Sequence, residues 1–353
     1  MSRTHLLAAA VAAIGILTLP AAASAAPGPG APRTHVPGVN SLDSVICPTA
    51  SACVAVGLDS NLNGKSAVIN AATGAVTAWS GDLAGDPLNA VACPGTATCL
   101  AVADDAVATA AVSTGAMKVT AKPKPPADGI VAMGAIACAS ATTCYAAGFE
   151  GTEANSKATV FVLSSAGKLL ARHTGEGTGV GSIACPSSTL CLMGDHRTTG
   201  ETIQLLSNGH FGTSHKLPAN TFIETISCFK ASLCYALGGN SKLSPSPIDE
   251  LFPLNPATGK VGTMATIGSG FSGGTGANEI SCISATTCLV VGYTGSGSTA
   301  KDAVVAVVNG KPGAPTHYSG TDFPFDSVGC ASASRCYAVG SSSTGAVVIK
   351  VKS

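Results

Sequence analysis

Seven times along this chain, two cysteines stand six positions apart between short apolar runs, as in ISCISATTCLVVG at residues 280–292. The pairs are Cys47/Cys53, Cys93/Cys99, Cys138/Cys144, Cys185/Cys191, Cys228/Cys234, Cys282/Cys288 and Cys330/Cys336, which use all 14 cysteines. Successive first cysteines lie 43–54 residues apart. That period, with each unit split into several short apolar runs, is the spacing of propeller blades. The repeat therefore predicts an all-β fold: a seven-bladed β-propeller of four-stranded antiparallel blades, filling residues 40–353 as one domain. A chain of 353 residues would otherwise suggest two domains.

Each unit divides into strands. Two residues before the first cysteine stands Val45, Val91, Ile136, Ile183, Ile226, Ile280 or Val328, always β-branched, as a buried strand prefers. After the second cysteine comes an apolar run that glycine usually ends, as at Gly57 and Gly292. A third run follows, then a turn such as Thr73-Gly74 or Asn309-Gly310. The last unit ends after its third strand, so residues near Arg33–Gly38 are expected to supply the fourth and close the ring.

The five residues between paired cysteines fit the turn of the inner hairpin, with the cysteines on facing strands. Opposed residues in a non-hydrogen-bonded antiparallel pair lie about 4.5 Å apart at Cα, which a disulfide spans. Seven local disulfides are expected. Zinc is disfavoured because structural sites need four ligands and no histidine accompanies the pairs. The spacing is also not the C-x-x-C of redox proteins.

Residues 1–25 resemble a signal peptide: Arg3, the apolar run Leu6–Leu19, and Ala23-Ser24-Ala25 as a cleavage site. The run is too short to span a bilayer comfortably. Export to an oxidising compartment makes disulfides the default. Residues 26–39 form a Pro/Gly-rich segment whose last part joins blade 7. Charged residues are only 11 % of the chain and balance at zero net charge, with 4 % aromatics. That leaves neither a basic patch for phosphates nor stacking platforms for bases, so nucleic acid is an unsuitable partner. A secreted monomer without a membrane span is expected.

The repeat, ending in C-x-A-V-G, resembles the sialidase-type (BNR) repeat and that of photosystem-assembly-factor propellers. With a cysteine pair in the inner turn, it resembles secreted actinobacterial propellers of unassigned function. The resemblance implies the fold and not the chemistry. NAATGAVTAW at residues 70–79 keeps Gly74 and Trp79 of the sialidase Asp-box but lacks its aspartate. Sialidases clamp a carboxylate with three arginines; beyond the leader this chain has only Arg33, Arg172, Arg197 and Arg335. No catalytic residue carries over.

By analogy with other propellers, ligands meet the face bearing the second-to-third-strand loops. Four residues before each first cysteine, on that face, stand Asp43, Asn89, Gly134, Gly181, Glu224, Asn278 and Asp326. Sevenfold geometry would gather them at the channel mouth. The bland reading is that short polar residues begin strands and bond local backbone. DHRTTGE at residues 195–201 offers Asp195, His196 and Arg197 as further ligand contacts. DSNLNGK at residues 59–65 copies the start of a calcium loop with Asp59, Asn61 and Asn63, but its twelfth position is Asn70 rather than glutamate. No cofactor is expected; this loop makes calcium the one candidate. No H-E-x-x-H motif occurs. The favoured expectation is a secreted, non-enzymatic binding module for an extracellular or cell-envelope ligand, glycan or protein. The alternative is a glycan-processing hydrolase or lyase with its site at the mouth.

Overall fold

A computed structural model describes residues 33–127, 129–240, 248–267, 276–295, 301–318 and 325–351. The expected leader at 1–25 and most of the Pro/Gly-rich segment lie outside the described residues. Seven antiparallel sheets follow one another around a ring. Blade 1 runs outward through Ser41–Ile46, Ala52–Leu58, Gly64–Asn70 and Val76–Leu83. The innermost strands of blades 2 to 7 are Ala90–Ala92, Ile130–Cys138, Gly179–Ala184, Thr221–Phe229, Ala277–Cys282 and Phe325–Ser332. In blade 6 the fourth strand is broken into Lys311–Pro312 and Thr316–His317, both on the same neighbour. No helix among the described residues is long and apolar enough to cross a membrane.

Blade 7 combines both ends of the chain. Its fourth strand is Arg33–His35, paired antiparallel with the C-terminal strand Val347–Val351. Ring closure thus rests on backbone hydrogen bonds between segments about 300 residues apart.

The apolar core lies between blades rather than within them. Alternate side chains of a strand point to opposite faces of its sheet. In blade 1, Cys53 and Ala55 pack with Tyr337 and Val339 of blade 7, while Val54 and Val56 pack with Val91 and Ala101 of blade 2. One such cluster fills each of the seven interfaces. Both faces of every middle strand are therefore apolar, which explains runs such as CLVV without alternation. The seven β-branched inner residues are all buried.

All seven expected disulfides are present: Cys47–Cys53, Cys93–Cys99, Cys138–Cys144, Cys185–Cys191, Cys228–Cys234, Cys282–Cys288 and Cys330–Cys336. No cysteine among the described residues is free. The Cα–Cα separations are 3.8–4.1 Å, closer than the hairpin argument required. Each bridge joins directly opposed residues, as the register Cys138↔Cys144 shows.

The two cysteines of a pair are not equivalent in burial. The first of each pair is only partly buried. The second, Cys53, Cys99, Cys144, Cys191, Cys234, Cys288 or Cys336, is at most 1 % exposed. Each of these seven sits in a different interblade cluster. The reason is the middle strand, which is covered by a neighbouring blade on either face. These sulfurs are therefore core side chains, closed to any ligand, and the disulfide ties the hairpin tip to the apolar interface.

Candidate functional site

Six of the seven inner strands carry a β-bulge at one repeated place. The register skips Asp43, Gly134, Gly181, Glu224, Asn278 and Asp326. A bulge leaves one residue unpaired and re-aims its side chain. Here it turns that position toward the axis. In four blades a glycine of the second strand makes room for it: a Cβ on Gly57, Gly148, Gly238 or Gly292 would lie about 2 Å from the carbonyl oxygen of Ser41, Ala132, Phe222 or Gly276. Blade 2 has no bulge in its ladder, and there the residue is Ala103.

The seven positions line a single cavity of about 250 Å³ at the channel mouth. Its polar groups include Asp43, Asn89, Glu224, Asn278, Asp326 and Glu279. Among the described residues, no lysine or arginine lines it. Asn89 donates to Asp104 and to the Met133 carbonyl, and Asn278 donates to the Phe325 carbonyl. Both amides thus tie their blade to the next while facing the cavity. Gly134 leaves open space where a side chain would stand.

Glu279 escaped the sequence reading. It follows the bulge position, where the other blades have Ser44, Ala90, Ala135, Ser182, Thr225 and Ser327. The inner strand is a sheet edge, so its outward N–H groups need partners. Ser327 accepts from Val45 N–H, Ser44 from Val91 and Ser182 from Ile226, each time from the next blade. Glu279 does the same for Val328 at 3.2 Å. It brings a carboxyl into a serine's place. A glutamate alone in that column of the repeat was the available signal.

These carboxyls disfavour ionisation. Desolvation pushes Glu279 up to about 7, against the hydrogen bonds from Ser327 and Val328 N–H. Asp326 also rises to about 7, through desolvation and then the charges of Asp43, Asp302 and Glu279. Burial raises Asp43, although Ser41 donates a hydrogen bond to it. Across the channel, burial raises Glu224 while nearby His196 opposes the shift.

The 195–201 stretch divides between two places. The His196 ring stands beside Gly181 of the mouth, whose Cβ would come within 2.8 Å of Nε2. Its hydrogen bond to Glu201 raises its pKa, against desolvation. Asp195 and Arg197 turn away. Asp195 is buried and accepts from Arg197 Nε at 2.8 Å.

The 59–65 loop folds around its own aspartate. Asp59 accepts from the Asn61 and Asn63 N–H groups and from the Asn63 amide. Lys65 Nζ stands 3.3 Å from Oδ2, the oxygen that also takes the Asn63 amide. The Asn63 N–H leads these contacts, which hold the carboxyl down to about 2. A lysine occupies the cation's place, so the geometry gives calcium no support. Among the described residues, no three His, Cys, Asp or Glu side chains are placed to hold a metal ion.

No family model matches the chain, and no curated protein matches it by sequence. Solved structures do resemble it. The WD40 β-propeller domain of Doa1 aligns over 92 % of this chain and 96 % of its own, with a TM-score of 0.61 at 10 % identity. A chain of the mitotic checkpoint complex aligns over the full length of both, at 0.63 and 11 % identity. A protein of unknown function from Bacteroides caccae covers 76 % of this chain and 94 % of its own, at 0.51 and 12 %. At such identities the likeness is one of fold: the chain is a seven-bladed β-propeller with a disulfide in every blade.

Proposed function

We propose that the protein is a secreted binding module whose channel mouth receives a cationic side chain, lysine or arginine, of an extracellular or cell-envelope protein. The observation that carries this reading is the mouth itself, where Asp43, Glu224, Glu279 and Asp326 face one cavity that, among the described residues, no lysine or arginine lines. Carboxyls crowded in partial burial are stabilised as anions by an incoming positive charge. The asparagine carbonyls add acceptors for its N–H groups. Seven disulfides accord with an oxidising compartment. The likeness to a WD40 domain and to a chain of a multicomponent complex accords with protein binding.

Calorimetric titration with a lysine- and arginine-containing peptide tests the reading. Binding should disappear in the triple variant Asp43→Asn, Glu224→Gln, Asp326→Asn; binding retained there would place the contact on another face. The enzymatic alternative has one observation in its favour. Glu279 and Asp326 both titrate at about 7, the condition for a proton donor and acceptor to coexist near neutral pH. Glycan turnover by the native protein that vanishes in Asp326→Asn would replace the binding reading with that one.

A further inference from the structure

Arg197 lines a second cavity, separate from the mouth, of about 360 Å³. Thr174 and Glu176 from the end of blade 3, with Gln204, Phe211 and Ser214 of blade 4, complete its wall. Two buried acceptors fix the guanidinium. Asp195, 1 % exposed, takes Nε–H at 2.8 Å. Gln204, 2 % exposed, takes an Nη2 hydrogen at 2.8 Å. The Gln204 amide cannot swing away, because its Nε2 donates to the carbonyls of Gly212 and Leu205. Asp195 is held through Oδ2, which also accepts from the Thr202 hydroxyl at 3.4 Å, while its Oδ1 fills the space a Cβ on Gly177 would take.

The third partner differs. Glu176 accepts from Nη1 at 3.2 Å, yet its side chain is 89 % exposed. An ion pair to so exposed a carboxylate is weak, because water and salt screen it. A guanidinium has five N–H donors, and only three are engaged in these bonds. The arginine is thus held rigidly on its inner side and weakly occupied on its outer side, beside an aromatic ring and two hydroxyls. Such preorganisation removes the ordering cost that a free surface arginine would meet on binding a carboxylate.

We propose that this cavity is a docking notch for a glutamyl or aspartyl side chain of a partner protein, which displaces Glu176 from Arg197. Glu176 is the intramolecular stand-in, showing that an acidic peptide side chain reaches the guanidinium. The Phe211 ring packs against Gly175, where a Cβ would come within 2.6 Å, so the wall beside the arginine stays low and open. The notch is independent of the mouth, where the charge preference is opposite.

The test is an NMR titration of the full chain with acetyl-Gly-Glu-Gly-amide, with the glutamine peptide as control. Amide shifts of Gly175, Gly212 and Ser214, together with the Arg197 Nε–H signal, report the site. A single buttressed pair predicts saturation in the ~1 mM range. Glu176→Ala, an exposed change that leaves the fold intact, should tighten binding about 2–5-fold by removing the internal competitor. Arg197→Lys should abolish it, because an ammonium lacks the planar fork. Asp326→Asn, at the mouth, should leave it unchanged. Equal shifts with the glutamine peptide, no shifts at these signals, or unaltered affinity in Glu176→Ala would each overturn the proposal.

Discussion

Arg33, in the strand that closes the ring, holds Asp302 of blade 6 at 3.2 Å, across 269 residues of sequence. Asp302 is 1 % exposed, and its Oδ1 has no hydrogen-bond partner. Burial raises it to about 7, with Arg33 pulling the other way. Removing one partner of a buried pair strands the other charge, at about 3–5 kcal/mol. Arg33→Ala should therefore destabilise strongly at pH 8. At pH 5, where Asp302 is protonated, the loss should be smaller. Urea denaturation at both values measures the difference; equal losses would mean that Arg33 acts through packing alone.

The same logic gives the whole protein a pH profile. Glu279, Asp302 and Asp326 titrate at about 7 when folded, above their ordinary values near 4. The native state then binds more protons than the unfolded one between those limits. Their stabilisation is complete below about 4 and is lost as pH rises through 7. His196, also raised, shifts stability in the same direction, while His173, lowered by burial and by His210, opposes it. Thermal unfolding should fall in midpoint from pH 5 to pH 8. Glu279→Gln keeps an acceptor for Val328 and should flatten that slope.

Blade interfaces depend on the residue after the second cysteine. Tyr337 donates to the Ala71 carbonyl of blade 1 at 2.8 Å, and its ring lies against Gly74, which has a φ of 79°. A Cβ there would sit 2.8 Å from the ring, so glycine is required for space and conformation together. At Gly310 of blade 6 an added Cβ would come within 2.8 Å of the Tyr235 hydroxyl. Tyr337→Phe should cost about 1–2 kcal/mol by leaving a buried carbonyl unpaired. Tyr337→Ala should cost about 3–5 kcal/mol. A phenylalanine variant as stable as the native protein would show that the hydrogen bond contributes nothing.

The ring was legible because its information is periodic. Cysteines, β-branched residues and the mouth positions recur at fixed offsets, and side-chain alternation turns those offsets into faces. What escaped was aperiodic or long-range. The bulge that aims Asp43 and Asp326 inward is a register shift, and its only trace in sequence is the glycine on the facing strand. Glu279 hid in a column of serine, alanine and threonine. The Arg33–Asp302 pair joins distant segments with no shared motif. Asp195, His196 and Arg197 read as one charged loop, but strand alternation sends His196 toward the mouth and Asp195 away from it.

Each disulfide closes a loop of about seven residues, which in the chain-entropy model stabilises by about 2 kcal/mol. The double variant Cys138→Ser, Cys144→Ser should lose at least that much in denaturant titration, since Cys144 also belongs to an interblade cluster. Its far-ultraviolet spectrum should remain native, because six other bridges and the remaining clusters still hold the ring. Non-reducing peptide mapping of the native protein should find only links between cysteines six apart. A cross-blade link would contradict the hairpin staple.

Gly134 offers the cleanest handle on the mouth. It is the bulge position of blade 3, and a Cβ added there meets nothing within 4 Å. Substitution should change stability by no more than about 0.5 kcal/mol. Gly134→Lys would plant a tethered ammonium among Asp43, Glu224 and Asp326, and should block a cationic peptide as a competitor present at high effective concentration. It should also lower the pKa of Asp326, since a nearby positive charge favours the anion. Gly134→Asp adds a carboxylate and should strengthen the same binding. Calorimetry on the two variants reads opposite signs if the mouth takes a cation. If both variants weaken binding equally, the site is defined by space and not by charge.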